Sequence, residues 1–139
     1  MSAVLVDTSV WVDHFRGRNA ALVELLTQDR ALAHPFVIGE LACGTPPGRA
    51  RTLADLALLE PARQATPAEL LGLIERERLH GLGCGYVDVA LLAATLLTPG
   101  AALWTLDARL AALAARFGVA YAPAFPPASP TRPPEPPAT

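Results

Sequence analysis

Four acidic side chains of this chain stand where carboxylates are hardest to accommodate. They occur in Val4-Leu5-Val6-Asp7, Phe36-Val37-Ile38-Gly39-Glu40-Leu41, Tyr86-Val87-Asp88-Val89-Ala90-Leu91 and Leu103-Trp104-Thr105-Leu106-Asp107. A carboxylate inside or at the end of an apolar run faces or borders the core, and its burial must be compensated. Any fold of this sequence therefore has to bring these groups to a polar edge or use them to cap helices. The other nine of the 13 acidic residues have polar or ambiguous neighbours, as in Glu75-Arg76-Glu77-Arg78, and read as solvated surface.

The run Val4 to Val6 reads as a short buried strand, after which Thr8 or Ser9 caps a helix with Trp11 and Phe15 on one face. A second helical stretch covers Ala20 to Thr27, and Ala31 to Ala33 reads as a short strand. Pro35 opens a helix that runs to the Gly44-Thr45-Pro46-Pro47 breaker, and the pattern from Gly48 to Leu59 is helical. Pro61 to Thr66 reads as an extended crossing, and Thr66-Pro67-Ala68-Glu69 as a capping box opening a helix through Leu79. Gly81 to Gly85 is a turn feeding an apolar helix from Tyr86 to Leu97. A strand at Ala102 to Thr105, a helix from Asp107 to Phe117 and a last strand at Val119 to Tyr121 complete the series. Short apolar runs alternating with helices predict an α/β fold around a small parallel sheet.

At 139 residues the chain is of single-domain length, and 52% apolar against 17% charged residues excludes a disordered or coiled-coil protein. The expected domain is 1–121, with 122–139 a proline-rich flexible tail holding 8 of the 14 prolines. The apolar stretch Val89 to Trp104 is broken at Thr98-Pro99-Gly100, short of the roughly 20 residues that cross a bilayer. No signal-peptide pattern precedes Asp7, so a soluble cytoplasmic protein without membrane contact is expected. All 11 basic residues are Arg, which removes lysine-dependent mechanisms, and the net charge of −2 argues against coating nucleic acid through a broad positive field. Cys43 and Cys84 have no zinc-type spacing and read as small core residues in a reducing compartment.

Each of the four acids has a structural explanation as well as a chemical one. Asp7 and Asp107 are placed to cap helices, Glu40 to occupy the polar stripe of an amphipathic helix, and Asp88 is the hardest to excuse, being flanked by Val87, Val89 and Leu91. Yet Asp7 and Asp107 both lie where a strand hands over to a helix, the carboxyl edge at which parallel sheets bind ligands. If Glu40 and Asp88 reach the same edge, neighbours about 5 Å apart repel by roughly 3 kcal/mol at an effective dielectric near 20. Such a cluster stays ionised only with cations present, and all-oxygen ligation suits Mg²⁺ or Mn²⁺.

In order and spacing, Val6-Asp7-Thr8-Ser9-Val10-Trp11, Ile38-Gly39-Glu40-Leu41, Val87-Asp88-Val89-Ala90-Leu91-Leu92-Ala93-Ala94 and Leu103-Trp104-Thr105-Leu106-Asp107 resemble the PIN-domain ribonucleases, and within them the VapC-type toxins of bacterial toxin-antitoxin systems. The resemblance covers Val4 to about Tyr121. It implies a three-layer α/β/α fold with a small parallel sheet and an acidic pocket binding one or two Mg²⁺, with Mn²⁺ as a substitute. By position Asp7, Glu40, Asp88 and Asp107 would be the catalytic and metal-binding carboxylates, Asp7 and Asp88 directly and Glu40 and Asp107 through water. Thr8 or Ser9 would hold the backbone around Asp7 or touch the scissile phosphate. The resemblance further implies an RNA substrate, a homodimer and a cognate VapB-like antitoxin.

Arg16, Arg18 and Arg109 lie near the ends of the pocket-forming elements, where they would clamp phosphates or remain solvated. His14, His34 and His80 lack an identifiable catalytic partner and read as surface or hydrogen-bonded residues. Trp11 and Phe15 fit core or dimer packing better than base stacking. Two other readings compete: a PIN-like module that binds metal, RNA or a partner without catalysis, and an aspartyl-phosphate protein. The latter needs a lysine, and its phosphatase branch needs an Asp where Ser9 stands.

Overall fold

The protein is described by a computed structural model over residues 2–123. Strands β1 (Val4–Val6) and β2 (Ala31–Ala33) are buried at every residue. Successive strand side chains point to opposite faces, so both faces of the sheet must be covered. With β3 (Glu60–Pro61) and β4 (Ala102–Trp104) they form one sheet in the order β3-β2-β1-β4, parallel throughout. Val4 pairs with Ala31 on one side and Ala102 on the other, and Val6 pairs with Trp104. This register sets Asp7 just beyond the carboxyl end of the central strand, where its N–H donates to the Trp104 carbonyl at 2.9 Å.

Helices α1 (Thr8–Arg16), α2 (Ala20–Thr27), α3 (Pro35–Ala42), α4 (Arg49–Leu56), α5 (Pro67–Glu77), α6 (Tyr86–Leu97) and α7 (Ala108–Arg116) connect and cover the strands. The result is the three-layer α/β/α arrangement expected from the alternation of elements. Val10 and Trp11 of α1, Leu22 and Leu25 of α2, Val37 and Leu41 of α3, and Leu91 of α6 close one apolar core with the strands. A second core joins Leu70 and Leu73 of α5, Val89 and Leu92 of α6, and Leu113 of α7. Helix α6 is common to both, which is why its residues Val89 to Thr95 are all buried.

Local chemistry explains the helix starts. Pro35 sits in the first turn of α3, and His34 caps it through Nδ1, which accepts the Phe36 N–H at 3.0 Å. Thr66 and Glu69 form the expected capping box of α5, at 3.1 and 2.7 Å. That helix ends at Glu77, and Arg78 turns left-handed (φ +56°) so that buried Leu79 follows as a hydrophobic stopper whose N–H reaches the Ile74 carbonyl.

Several expectations need correction. The cap of α1 is Asp7 rather than Thr8 or Ser9, because Asp7 holds the extended conformation and accepts from Ser9. Helix α4 stops at Leu56, not Leu59: Leu58 is 84% exposed, so its apolar character does not mark a helix face. The crossing expected at Pro61 to Thr66 is a two-residue strand beginning at Glu60, an edge position that tolerates a proline without an N–H. Val119 to Tyr121 contributes one bridge, Ala120 to Leu103, instead of a strand. Cys43 is exposed and Cys84 partly so; neither is a core residue. The tail expected at 122–139 lies outside the described residues from 124 onward.

Leu91 is fully buried whereas Leu71 on α5 is 60% exposed. Leu91→Ala should lower the unfolding free energy by about 2–5 kcal/mol, and Leu71→Ala should change it by less than about 0.5 kcal/mol, as read from denaturant midpoints at constant slope.

Candidate active site

Asp7 is buried, with 7% of its surface exposed, and its position at the end of β1 makes it both helix cap and candidate ligand. One oxygen, Oδ2, accepts from the Ser9 hydroxyl and the Thr105 hydroxyl, each at 2.7 Å, and from the Ser9 N–H at 3.4 Å. Ser9 Oγ in turn accepts the Leu106 N–H at 2.9 Å, and Thr105 Oγ1 accepts the Asp107 N–H at 3.0 Å. These bonds stitch the loop after β4 to the start of α1. They fix the Asp7 carboxylate and place Asp107 beside it.

The other candidates are held in the same manner. Asp107 caps α7 through Oδ1, which accepts the Leu110 N–H at 2.9 Å. Asp88 sits in the first turn of α6, where its Oδ2 reaches back to accept the Gly85 N–H at 3.1 Å, and Gly85 itself has no side chain with which to cap. Glu40 on α3 accepts the Thr8 hydroxyl through Oε1. The capping explanations for Asp7 and Asp107 are thus correct, but they occupy one oxygen only. Among the described residues, each of the four carboxylates has one hydrogen-bonded oxygen and a second oxygen with no hydrogen bond. A side chain anchored through one oxygen and open at the other can take a cation without giving up its position.

Burial pushes the Asp88 carboxyl above the ordinary aspartate range. The Gly85 N–H opposes this, and the charges of Asp7 and Asp107 add to it. The structure therefore brings Asp7, Asp88 and Asp107 into one electrostatic neighbourhood, while Glu40 adjoins it through Thr8, the residue after Asp7. Among the described residues, no group of three or more His, Cys, Asp or Glu side chains is gathered closely enough to hold a metal ion together. Mg²⁺ does not need one, because it takes one or two carboxylates directly and keeps several waters. The donor set, all carboxylate oxygens with their second lone-pair faces open, fits such an ion. Cysteine and histidine contribute nothing comparable: His14 accepts the Asn19 N–H, and His34 is occupied as a cap.

Of the three arginines singled out from the sequence, Arg109 and Arg16 flank this edge. Arg109 lies against Gly83, where an added Cβ would stand 2.8 Å from its Cδ and Nη1, and its charge is felt at Cys84 together with those of Asp88 and Asp107. Gly83, at φ +84°, is therefore the residue that lets Arg109 lie across the turn before α6. Arg16 lines a cleft together with Thr8 and Glu40. Arg18 stands near His14, where its charge joins burial in lowering the imidazole pKa. Sequence reasoning passed over Thr105 and Gly83. The signal for Thr105 was a hydroxyl two residues before an acid at a strand end, and for Gly83 a glycine in a turn leading to an acidic helix start.

The sequence profile of the PIN domain matches residues 4–116. Ribonuclease VapC32 of Mycobacterium tuberculosis strain CDC 1551 / Oshkosh and the protein of the same name from strain ATCC 25618 / H37Rv are each 50% identical to the chain over 119 residues. Each alignment covers 86% of this chain and 96% of the relative.

Because the folded state raises the Asp88 pKa, it binds more protons than the unfolded chain between the ordinary carboxylate range and that raised value, and stability falls as pH rises through this window. Asp88→Asn keeps an acceptor for Gly85 and removes the charge. In chelator, its melting temperature should exceed that of the wild type at pH 7, and the difference should shrink as pH is lowered toward the ordinary carboxylate range. A wild-type advantage at pH 7 would refute the assignment of strain to this carboxylate.

Proposed function

The chain belongs to the PIN-domain family, and from that premise we propose that it is a metal-dependent endoribonuclease, the toxin of a toxin-antitoxin pair, hydrolysing RNA phosphodiester bonds at the edge formed by Asp7, Glu40, Asp88 and Asp107. The activity is that of a ribonuclease, as the identity with the curated relatives indicates along nearly their whole length. The site assignment rests on the four carboxylates with one oxygen anchored and one open.

In this reading Asp7 and Asp88 are the direct ligands of the divalent cation, and Asp107 and Glu40 act through water. PIN ribonucleases depend on divalent metal in general; Mg²⁺, with Mn²⁺ as substitute, suits this oxygen-only set. Such a cation supplies activation of the attacking water and neutralises charge on the departing oxygen. The chain's own residues do the positioning. Ser9 and Thr105 hold the Asp7 carboxylate in one orientation, so no reorganisation is needed when a phosphate arrives. Thr8 holds Glu40, and Arg16 and Arg109 offer guanidinium groups to phosphate oxygens on either side of the acidic edge. These guanidinium groups add to the cation's charge in offsetting the repulsion between an incoming phosphate and the acids.

The nuclease unit is residues 1–121. Among the described residues no helix is long and apolar enough to cross a membrane; the proposed place of action is the cytoplasm, where the RNA substrate is. A VapB-like antitoxin and a homodimer complete the proposal. Exposed Leu96 and Leu97 at the end of α6 support the dimer as an apolar surface in need of cover.

Purified protein incubated with total cellular RNA should cut at discrete positions with Mg²⁺, and neither EDTA-treated protein nor Asp88→Asn should cut. Sequencing of the new ends reads the result. Cutting by Asp88→Asn at the wild-type rate would reject the site. Thr105→Val, which removes a donor to a buried charge, should lower kcat by tenfold or more and destabilise the fold by about 1–3 kcal/mol.

A further inference from the structure

A cleft of about 460 Å³ opens directly beside the acidic edge, between α1 and the turn that follows α3. Its walls are apolar, with Val12, Phe15, Leu41, Pro46 and Pro47 among them, and Thr8, Arg16 and Glu40 bring polar groups to it. The position is specific: Thr8 follows Asp7 in the chain and hydrogen-bonds Glu40, so the cleft is continuous with the proposed hydrolytic site. Phe15 is not a loose side chain. Its ring is braced by Trp11, with centroids 6.2 Å apart and planes at 33°, and Trp11 is itself buried. Arg16, the next residue, makes no ion pair among the described residues.

We propose that this cleft is a nucleobase subsite: it receives one unstacked base of a single-stranded RNA, laid against Phe15, while Arg16 holds an adjoining phosphate. The inference rests on the nuclease reading and extends it to how the substrate is gripped. A braced aromatic ring, apolar lining and a guanidinium without an ion pair match the chemistry of a nucleotide, whose base stacks and whose phosphate needs a cation. A polypeptide segment would need an acidic residue at the Arg16 position to use the same groups, whereas every nucleotide carries the phosphate with its base. Stacking of this kind tolerates any base, so the subsite selects unpaired structure and not a particular sequence. The base enters only where the RNA is already splayed, as in a loop or bulge.

The test uses the full chain without divalent cation and reads backbone amide shifts by NMR during titration with adenosine 5′-monophosphate and, separately, ribose 5-phosphate. Saturable shifts at Thr8, Val12, Arg16, Gly44 and Thr45 are expected with the nucleotide, and ribose 5-phosphate should bind about tenfold more weakly. Phe15→Leu should weaken nucleotide binding to the level of ribose 5-phosphate. Gly44→Leu tests the opposite wall without disturbing Phe15, since a Cβ there would meet only the Leu41 carbonyl oxygen at 3.7 Å; it should also weaken the nucleotide. Equal binding of the two ligands would overturn the proposal in favour of a bare phosphate site. Unmoved cleft amides would overturn it and leave the cleft to a polypeptide partner. RNA cleavage is scored independently, so an enzyme that cuts RNA without nucleotide in the cleft refutes this subsite alone.

Discussion

The clamp on the Asp7 carboxylate is the interaction on which the rest of the arrangement depends. It joins the end of β1, the first turn of α1 and the loop after β4, segments almost a hundred residues apart in sequence, through two hydroxyls on one oxygen. A single hydrogen bond contributes about 0.5–1.5 kcal/mol net, but leaving a buried charge unsatisfied is worse by more than that, so the clamp is obligatory once Asp7 is buried. The parallel pairing of β1 with β4 brings the partners together, and the clamp then sets where Asp107 begins its helix. Fold and site are thus one construction at this edge.

The electrostatic consequence is a deliberate conflict. Asp88 is raised by burial and by its two aspartate neighbours, whereas its helix position and the Gly85 N–H favour the charged form. A protein without need of negative charge here would replace Asp107 at little structural loss, since its cap role can be filled by Ser, Thr or Asn. A helix cap uses a carboxylate at one oxygen, so Asp7, Asp88 and Asp107 each serve a helix start and keep a second oxygen free for the cation proposed above. That economy accounts for three of the four acids, and Glu40 is held instead by the Thr8 hydroxyl.

Much of this was legible in the sequence because it was local. The capping box at Thr66 and Glu69, the proline start of α3 and the apolar length of α6 are each written within a few residues. The acids were legible for the opposite reason: each contradicts its neighbours. What escaped detection depends on contacts across the chain. Thr105 reads as an ordinary strand residue until Asp7 is brought to it. Gly83 reads as a turn former, with nothing local to tell that Arg109 must pass over it. The end of α4 was misread because Leu58 is apolar yet exposed, and β3 because two residues are too few for a pattern. Cys43 and Cys84 followed composition rather than position.

Helix α6 separates the two apolar cores and faces both. No opening smaller than the entire domain can expose its central amides, so they belong to the slowest-exchanging class, and the two cores must melt as one cooperative unit. Asp88 is fixed to the first turn of that helix. The acidic edge therefore borrows its persistence unequally: loops across the sheet can fluctuate while one carboxylate is carried on the first turn of the helix that both cores hold in place.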